Sequence, residues 1–281
     1  MSVKEALAPF FEAKLIGKLE IVLVEHLERM LGQELPKEAR IAIALASKAP
    51  SHGHVCADLK TLPTLFRQEG KGSDASSLPF PKPDEAVGAL KDCPLVRGRS
   101  ETRPTPLVLD GSRLYLDRFF LDERLVYDAI MARLSVVEPL SNDEAKRLRA
   151  LLDELFPAND PTQAEPRRAV ATALLRKFLV LTGGPGTGKT TTVVKLLAAL
   201  IEKEGPALKI QLVAPTGKAA TRMAESIAQN LDKVPERLRQ HLLKEPPTTL
   251  HRALGANPQN PTRFRHDADN PLPADVVVVD E

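Results

Sequence analysis

The chain has 281 residues, 43% hydrophobic and 27% charged, which excludes disorder as the whole account and supplies apolar material for about two domains at ~150 residues each. No apolar run approaches the ~18 residues of a membrane-spanning helix, and two cysteines, Cys56 and Cys93, with no secretory leader pattern point to a soluble protein of a reducing cytoplasm. The net charge of +2 is unevenly placed: residues 1–165 carry 22 basic and 26 acidic side chains, whereas residues 166–281 carry 17 and 11 and form the electropositive part.

Ser2 and Glu5 form a capping-box pattern ahead of Leu7, Phe10, Phe11, Leu15, Leu19 and Val22, which predicts an opening helix. A second helix is predicted over roughly residues 37–47. Residues 69–106 are rich in Gly, Ser, Pro and charge, which argues for a long surface connection. In PLVLDGSRLYL, Asp110 and Gly111 lie between two apolar runs, a hairpin signal. Ser141 and Glu144 repeat the capping box before a helix lined by Leu148, Leu151, Leu152 and Leu155. The proline-broken segment 157–166 marks an expected domain boundary.

Beyond it the rhythm becomes alternating strands and helices. FLVLT (178–182), IQLVA (210–214) and the VVVV of the final DVVVVDE read as strands, with helices after residue 189, over roughly 218–230 and around 249–254. Apolar strands joined by helical crossovers predict a parallel sheet covered on both faces, the valine run included. The expected fold class is α/β, a motor-type P-loop domain behind a mainly helical N-terminal domain with a β-hairpin.

The stretch Gly183, Gly184, Pro185, Gly186, Thr187, Gly188, Lys189, Thr190 fits the pattern G-x-x-x-x-G-K-[ST] between a strand and a helix. Glycines let successive N–H groups turn inward on phosphate oxygens, and the following helix offers its positive end. Lys189 is expected to reach the β- and γ-phosphates of ATP, Thr190 to ligate Mg2+, and Thr191 to complete the cradle. Asp280 and Glu281 follow the valine strand, where open parallel sheets bind ligands. Asp280 is the candidate second magnesium ligand and Glu281 the candidate base for the attacking water, with Lys189 the catalytic cation. A second strand-to-helix junction carries Pro215, Thr216, Gly217 and Lys218, and TTLHRALG carries Thr249 and His251.

GGPGTGKTTT, APTGKAA, TLHRALG and VVVVDE in this order resemble the first RecA-like motor domain of superfamily 1 DNA helicases. GHVC (53–56), TPLVLDGSRLYLDR (105–118) and FRHDADNPLPADVVVVDE (264–281) narrow the resemblance to the RecD family, the alpha subunits of exodeoxyribonuclease V. The resemblance implies ATP-driven 5′-to-3′ translocation on single-stranded DNA at duplex ends, in double-strand break repair and recombination. It implies RecB-like and RecC-like partner subunits, an N-terminal region docked on the gamma subunit, and no nuclease activity in this chain. It gives Pro215, Thr216, Lys218, Thr249 and His251 as DNA contacts. Contacts to phosphate carry no base sequence and suit a motor that must run over any sequence. Capping or solvated roles for Lys218 and His251 are the plainer alternative. The family's adenine-recognising glutamine falls near Glu165 and Pro166 here. Gln163 is offset from that place but is the available candidate.

The domains are expected as 1–106 (partner docking, with the surface linker), 107–165 (hairpin and helical connection) and 166–281 (a truncated first motor domain). A second motor domain is expected in a longer polypeptide, so that this stretch alone would bind nucleotide weakly and unwind nothing. A stand-alone helicase of the same superfamily and a non-catalytic docking module are the competing functions. His52, His54, Cys56 and Cys93 lack structural zinc spacing and are set aside.

Overall fold

A computed structural model describes residues 1–66, 78–157, 160–184, 186–242, 245–257 and 259–280. The chain falls into two compact units, Met1–Ala129 and Ile130–Glu281.

In the first unit, Ser2 Oγ accepts from the Glu5 N–H at 3.2 Å and Glu5 Oε2 accepts from the Ser2 N–H at 2.7 Å, so the capping box starts α1 (Val3–Glu12). The opening helix then stops. Lys14 takes a left-handed φ of 59°, and α2 (Lys18–Leu31) begins afresh behind Gly17. Leu19 and Val22 are exposed rather than continuing the Leu7–Phe10 stripe, because the break resets the helical phase on which that stripe depends. α3 (Lys37–Lys48) is buried from Ala39 to Ala46. Its Arg40 survives burial because its donors are used: Nε to Glu28 at 2.6 Å, Nη2 to Glu34 at 3.1 Å and Nη1 to the Met1 carbonyl at 2.6 Å.

β1 (Ala57–Asp58) and the short α4 (Leu62–Leu65) lead to α5 (Pro83–Lys91), β2 (Val96–Gly98), β3 (Leu107–Asp110) and β4 (Arg113–Leu116). The sheet order is β1-β4-β3-β2, with β2 parallel to β3 and the other pairs antiparallel. The hairpin forms as expected, but its turn is Gly111–Ser112: Asp110 pairs with Arg113, and Gly111 supplies the positive φ of 62°. The surface connection expected over 69–106 needs correction. Residues 67–77 lie outside the described residues, yet Ala86, Leu90, Cys93, Leu95 and Val96 enter the core. Polar composition hid a short amphipathic helix whose start Pro83 favours. On the other sheet face, Val108 and Tyr115 pack with Phe120 at the start of α6 (Asp117–Leu134), with the buried Arg97 guanidinium 5.2 Å over the Phe120 ring and hydrogen-bonded to Asp117.

The second unit opens with α7 (Asn142–Leu155), whose capping box at Ser141 forms and whose Leu148, Leu151, Leu152 and Leu155 are all buried. Then come α8 (Ala164–Ala173), α9 (Lys189–Glu204), β5 (Ile210–Ala214), α10 (Gly217–Ala228), α11 (Glu236–Leu242), β6 (Thr248–Thr249), α12 (Leu250–Ala253), the antiparallel pair β7 (Ala256–Asn257) and β8 (Asn260–Phe264), and β9 (Val276–Val279). β6, β5 and β9 form a parallel sheet in that order. One core joins the leucines of α7, Val194, Leu197, Ala198 and Ile201 of α9, Leu212 of β5, and Met223 and Ile227 of α10.

Two strand expectations are overturned. Residues 178–182 form no strand, and Val180 is 66% exposed. An apolar run records a preference for burial, but a strand also needs a ladder partner, which composition does not reveal. β9 is an edge strand whose Val277 and Val279 are exposed, instead of a strand buried on both faces. Among the described residues, no helix is long and apolar enough to cross a membrane.

Candidate functional site

The Gly183–Thr190 loop closes onto the first turn of α9, with Gly188 at the N-cap. Gly186 and Gly188 take φ values of 75° and 76°, which side chains other than glycine rarely tolerate. Gly183 is needed for space: a Cβ there would lie 2.6 Å from Thr187 Oγ1. Thr187 Oγ1 in turn donates to the Gly184 carbonyl at 2.9 Å and ties the loop across itself. The loop is exposed, and the Lys189 ammonium lies over it, donating to the Gly183 and Gly184 carbonyls at 2.6 and 2.9 Å. The ammonium thus lies among backbone carbonyls of the loop, beside the N-terminus of α9, the end of a helix that favours anions.

The parallel register gathers a second set of groups at the carboxyl edge of the sheet. Val213 pairs with Thr248 and with Val279, so the chain leaves β5 at Pro215, β6 at Thr249 and β9 at Asp280 on one side of the sheet. The Asp280 N–H donates to the Val213 carbonyl at 3.0 Å. Thr216 Oγ1 accepts from the Ala219 N–H and caps α10, and Thr249 Oγ1 accepts from the Arg252 N–H and caps α12, both at 3.2 Å. The capping alternative weighed for this edge thus falls on the threonines. Capping uses an oxygen lone pair and leaves each hydroxyl proton free for a phosphate oxygen. Lys218 and His251 are exposed beside them, the His251 ring 6.1 Å from that of Phe264.

The loop and this edge share the second unit, yet among the described residues no hydrogen bond or ion pair joins Asp280 to Thr190 or to the loop. Pro185 and Glu281 lie outside the described residues. Gln163 ends the turn before α8, and its Oε1 accepts from Lys195 Nζ of α9 at 3.1 Å. Lys195 is 7% exposed, with its Nζ 4.2 Å over the Phe156 ring. Burial, reinforced by Lys233, holds the Lys195 amine below the ordinary lysine range, against the opposing pull of Asp160. Sequence reasoning passed over Lys195. The available signal was a lysine inside the otherwise apolar run 193–201 of α9. Asn230, also passed over, carried no signal: its Oδ1 accepts from Thr191 Oγ1 at 2.7 Å, tying the end of α10 to the phosphate-loop helix.

The residues weighed for zinc do not converge. The His52 ring packs 5.1 Å from that of Phe66, Cys56 packs beside Val108, Tyr115 and Phe120, and Cys93 is buried in the first core. Among the described residues no group of three or more His, Cys, Asp and Glu has metal-binding placement.

Two family models match the chain. Residues 12–115 match the N-terminal domain of the RecBCD enzyme subunit RecD, and residues 166–281 match an AAA domain. The chain is similar to RecBCD enzyme subunit RecD of Mycolicibacterium smegmatis, 37% identical over 285 residues that take in 100% of this chain and 46% of that protein. It is 39% identical over 183 residues to the same subunit of Haemophilus influenzae, covering 63% of this chain and 28% of that protein. It is also 42% identical over 105 residues to an ATP-dependent RecD2 DNA helicase of Deinococcus radiodurans, covering 37% of this chain and 12% of that protein. The chain therefore spans less than half the length of these relatives.

Proposed function

For a chain that belongs to the RecD family, carrying the RecD N-terminal domain and an AAA domain, we propose the role of ATP-driven 5′-to-3′ DNA helicase subunit in a RecBCD-type end-processing complex. Single-stranded DNA at duplex ends is the track, RecB-like and RecC-like subunits are the partners, and double-strand break repair and recombination are the setting. The observation that carries this reading is the Gly183–Thr190 loop: its glycines clear space and reverse the chain, and its lysine lies over the carbonyls of Gly183 and Gly184.

In this reading the loop amides and Lys189 bind the triphosphate and stabilise charge on the transferring phosphoryl group. Thr190 and Asp280 are the residues that would hold Mg2+, which supplies neutralisation of the phosphate oxygens when bound. Glu281 orients and deprotonates the attacking water. Thr216, Lys218, Thr249 and His251, with the turn at Pro215, hold the DNA backbone through its phosphates without reading bases. The Thr191–Asn230 hydrogen bond ties α9, which begins at the phosphate loop, to the residue two positions beyond α10, the helix that begins at the proposed DNA-facing turn.

The test is steady-state ATP hydrolysis by the full-length protein, with and without single-stranded DNA, for the wild type and for Lys189→Ala. A fall of about 100-fold or more in kcat/KM with intact assembly is expected for losing a cation that acts on the transition state. Unchanged hydrolysis in a folded Lys189→Ala protein overturns the reading.

A further inference from the structure

The first turn of α9 carries threonines at 190, 191 and 192, and Thr187 stands in the loop before it. Thr187 and Thr192 spend their hydroxyls locally, on the carbonyls of Gly184 at 2.9 Å and Gly188 at 3.0 Å, the second being the usual bond of a helical threonine to the carbonyl four residues back. Thr191 departs from this. Its hydroxyl donates at 2.7 Å to Oδ1 of Asn230, 39 positions away. A hydroxyl has a single proton, so Thr191 offers the phosphate cradle its backbone N–H, one of the first four of α9 without a partner inside the helix, and not its O–H.

Asn230 in turn is fixed to α10. Its Nδ2 donates to the Ser226 carbonyl at 2.7 Å and its N–H to the Ile227 carbonyl at 3.0 Å, both in the last turn of that helix. With the nitrogen spent on a carbonyl, which only accepts, the orientation of the amide is set and its oxygen is left for Thr191. The other end of the same helix is the junction at Thr216, Gly217 and Lys218. Its 12 residues make a rod of about 18 Å. Met223 and Ile227 pack α10 into the core that holds Val194, Leu197 and Ile201 of α9, but apolar contact is non-directional and allows one helix to slide slightly on another. A hydrogen bond is directional, so the one at 2.7 Å ties a shift of α10 to Thr191, the residue after Thr190.

We propose that Asn230 is a positioning residue that couples the phosphate loop to the Thr216–Lys218 turn: through Thr191 it joins the first turn of α9 to the end of α10, so that a DNA phosphate held at Thr216 and Lys218 changes how the Gly183–Thr190 loop holds its nucleotide. Coupling between two sites is a free energy shared by both, so the factor by which single-stranded DNA changes the affinity for nucleotide equals the factor by which nucleotide changes the affinity for DNA. Asn230 touches neither ligand in this assignment and acts on that factor. The proposal rests on the nucleotide reading of the loop and on the DNA reading of the Thr216–Lys218 turn.

The experiment measures the affinity of the full-length protein for a non-hydrolysable ATP analogue with and without saturating oligo-dT, and for oligo-dT with and without the analogue, alongside thermal denaturation. The wild-type factor should be about fivefold or more, and the same from both directions. Asn230→Ala should bring it toward one by about 3- to 10-fold, the worth of one hydrogen bond. Because the factor is a ratio of affinities for one ligand, a general weakening of the variant cancels from it. Thr191→Val should lose the same coupling, Thr191→Ser, which keeps a hydroxyl, should retain it, and Asn230→Ala with Thr191→Val should go no further than either change alone. A wild-type factor under about threefold, or a folded Asn230→Ala protein whose factor falls by less than about threefold, overturns the proposal; should Asn230→Ala fail to fold, Thr191→Val is judged by the same threshold. Two controls separate this proposal from the readings beneath it: Lys189→Ala should weaken binding of the analogue, and Lys218→Ala binding of oligo-dT. If both do so while the coupling survives Asn230→Ala, only the role of Asn230 fails, and if either variant binds its ligand as the wild type does, the reading of that site fails.

Discussion

Gly183 and Gly184 are adjacent and chemically identical, yet the structure predicts different consequences for placing alanine at each. A Cβ at Gly183 lies 2.6 Å from Thr187 Oγ1 and 3.5 Å from Lys189 Cγ, whereas one at Gly184 meets only Thr187 Cγ2, at 3.8 Å. The first distance is inside van der Waals contact, so Thr187 must turn away and release its 2.9 Å hydrogen bond to the Gly184 carbonyl. That bond contributes about 0.5–1.5 kcal/mol net, and its exposed position puts it at the lower end of the range. A side chain pushed off its rotamer adds about 0.5–1.5 kcal/mol. Gly183→Ala should therefore lose about 1–2 kcal/mol of loop preorganisation, roughly 5- to 30-fold in kcat/KM for ATP. Gly184→Ala should change it about twofold at most, the range of an unstrained surface substitution. Steady-state hydrolysis by the full-length protein measures both, and thermal denaturation should show little change because the loop is exposed. Equal losses in the two variants, or a silent Gly183→Ala, would refute the assignment of Gly183 to close packing against Thr187.

Arg40→Ala should destabilise the first unit by about 3 kcal/mol in denaturant unfolding, because it leaves Glu28, only 15% exposed, without its cation; a loss under ~1 kcal/mol would mean that water replaces the guanidinium. Glu138 accepts from Lys203 at 2.6 Å, and that hydrogen bond holds its carboxyl below the ordinary value of 4.5 despite partial burial. A carboxylate lowered on folding stabilises above its unfolded pKa and loses that contribution as pH falls through the folded value. The stability gap between wild type and Glu138→Gln should accordingly hold above about pH 5 and close on further acidification. Lys218→Ala should weaken binding to single-stranded oligonucleotides of any sequence and reduce the slope of log affinity against log salt by about 0.7, the share of one phosphate contact. An unchanged slope would remove Lys218 from the DNA surface.

Local chemistry was legible in the sequence and long-range pairing was not. Both serine capping boxes, the glycine turn of the hairpin, the helix after Lys189 and the threonine junctions at Thr216 and Thr249 depend on residues within four positions of one another, and all of them form. The failures lie where a partner far along the chain decides the outcome. Residues 178–182 have the composition of a strand but no ladder, and the valines of β9 have the composition of a central strand but stand on an edge. In the first unit a single residue, Lys14 at φ 59°, ends a helix whose apolar periodicity continues on paper. Periodicity records where side chains prefer to go, and backbone geometry decides whether they arrive in phase.

The same division runs through the candidate site and explains why its motif residues were found while their supports were missed. A phosphate loop is made of consecutive residues, since a tight turn and a helix N-terminus must be adjacent to wrap one anion, and a pattern search detects it for that reason. The groups that hold the loop's surroundings in place lie far off in sequence: Lys195 reaches Gln163 across 32 positions, and Thr191 reaches Asn230 across 39. Neither support needs a special spacing; each needs only that α9 pack against the segment before α8 and against the end of α10. Such contacts come from packing of the second core rather than from a motif, and they become visible only when α9 is seen to share that core with α8 and α10. The buried Lys195 shows the same thing: its cost of burial is offset by a hydrogen bond to Gln163, a partner that only the packing of α9 against the segment before α8 brings within reach.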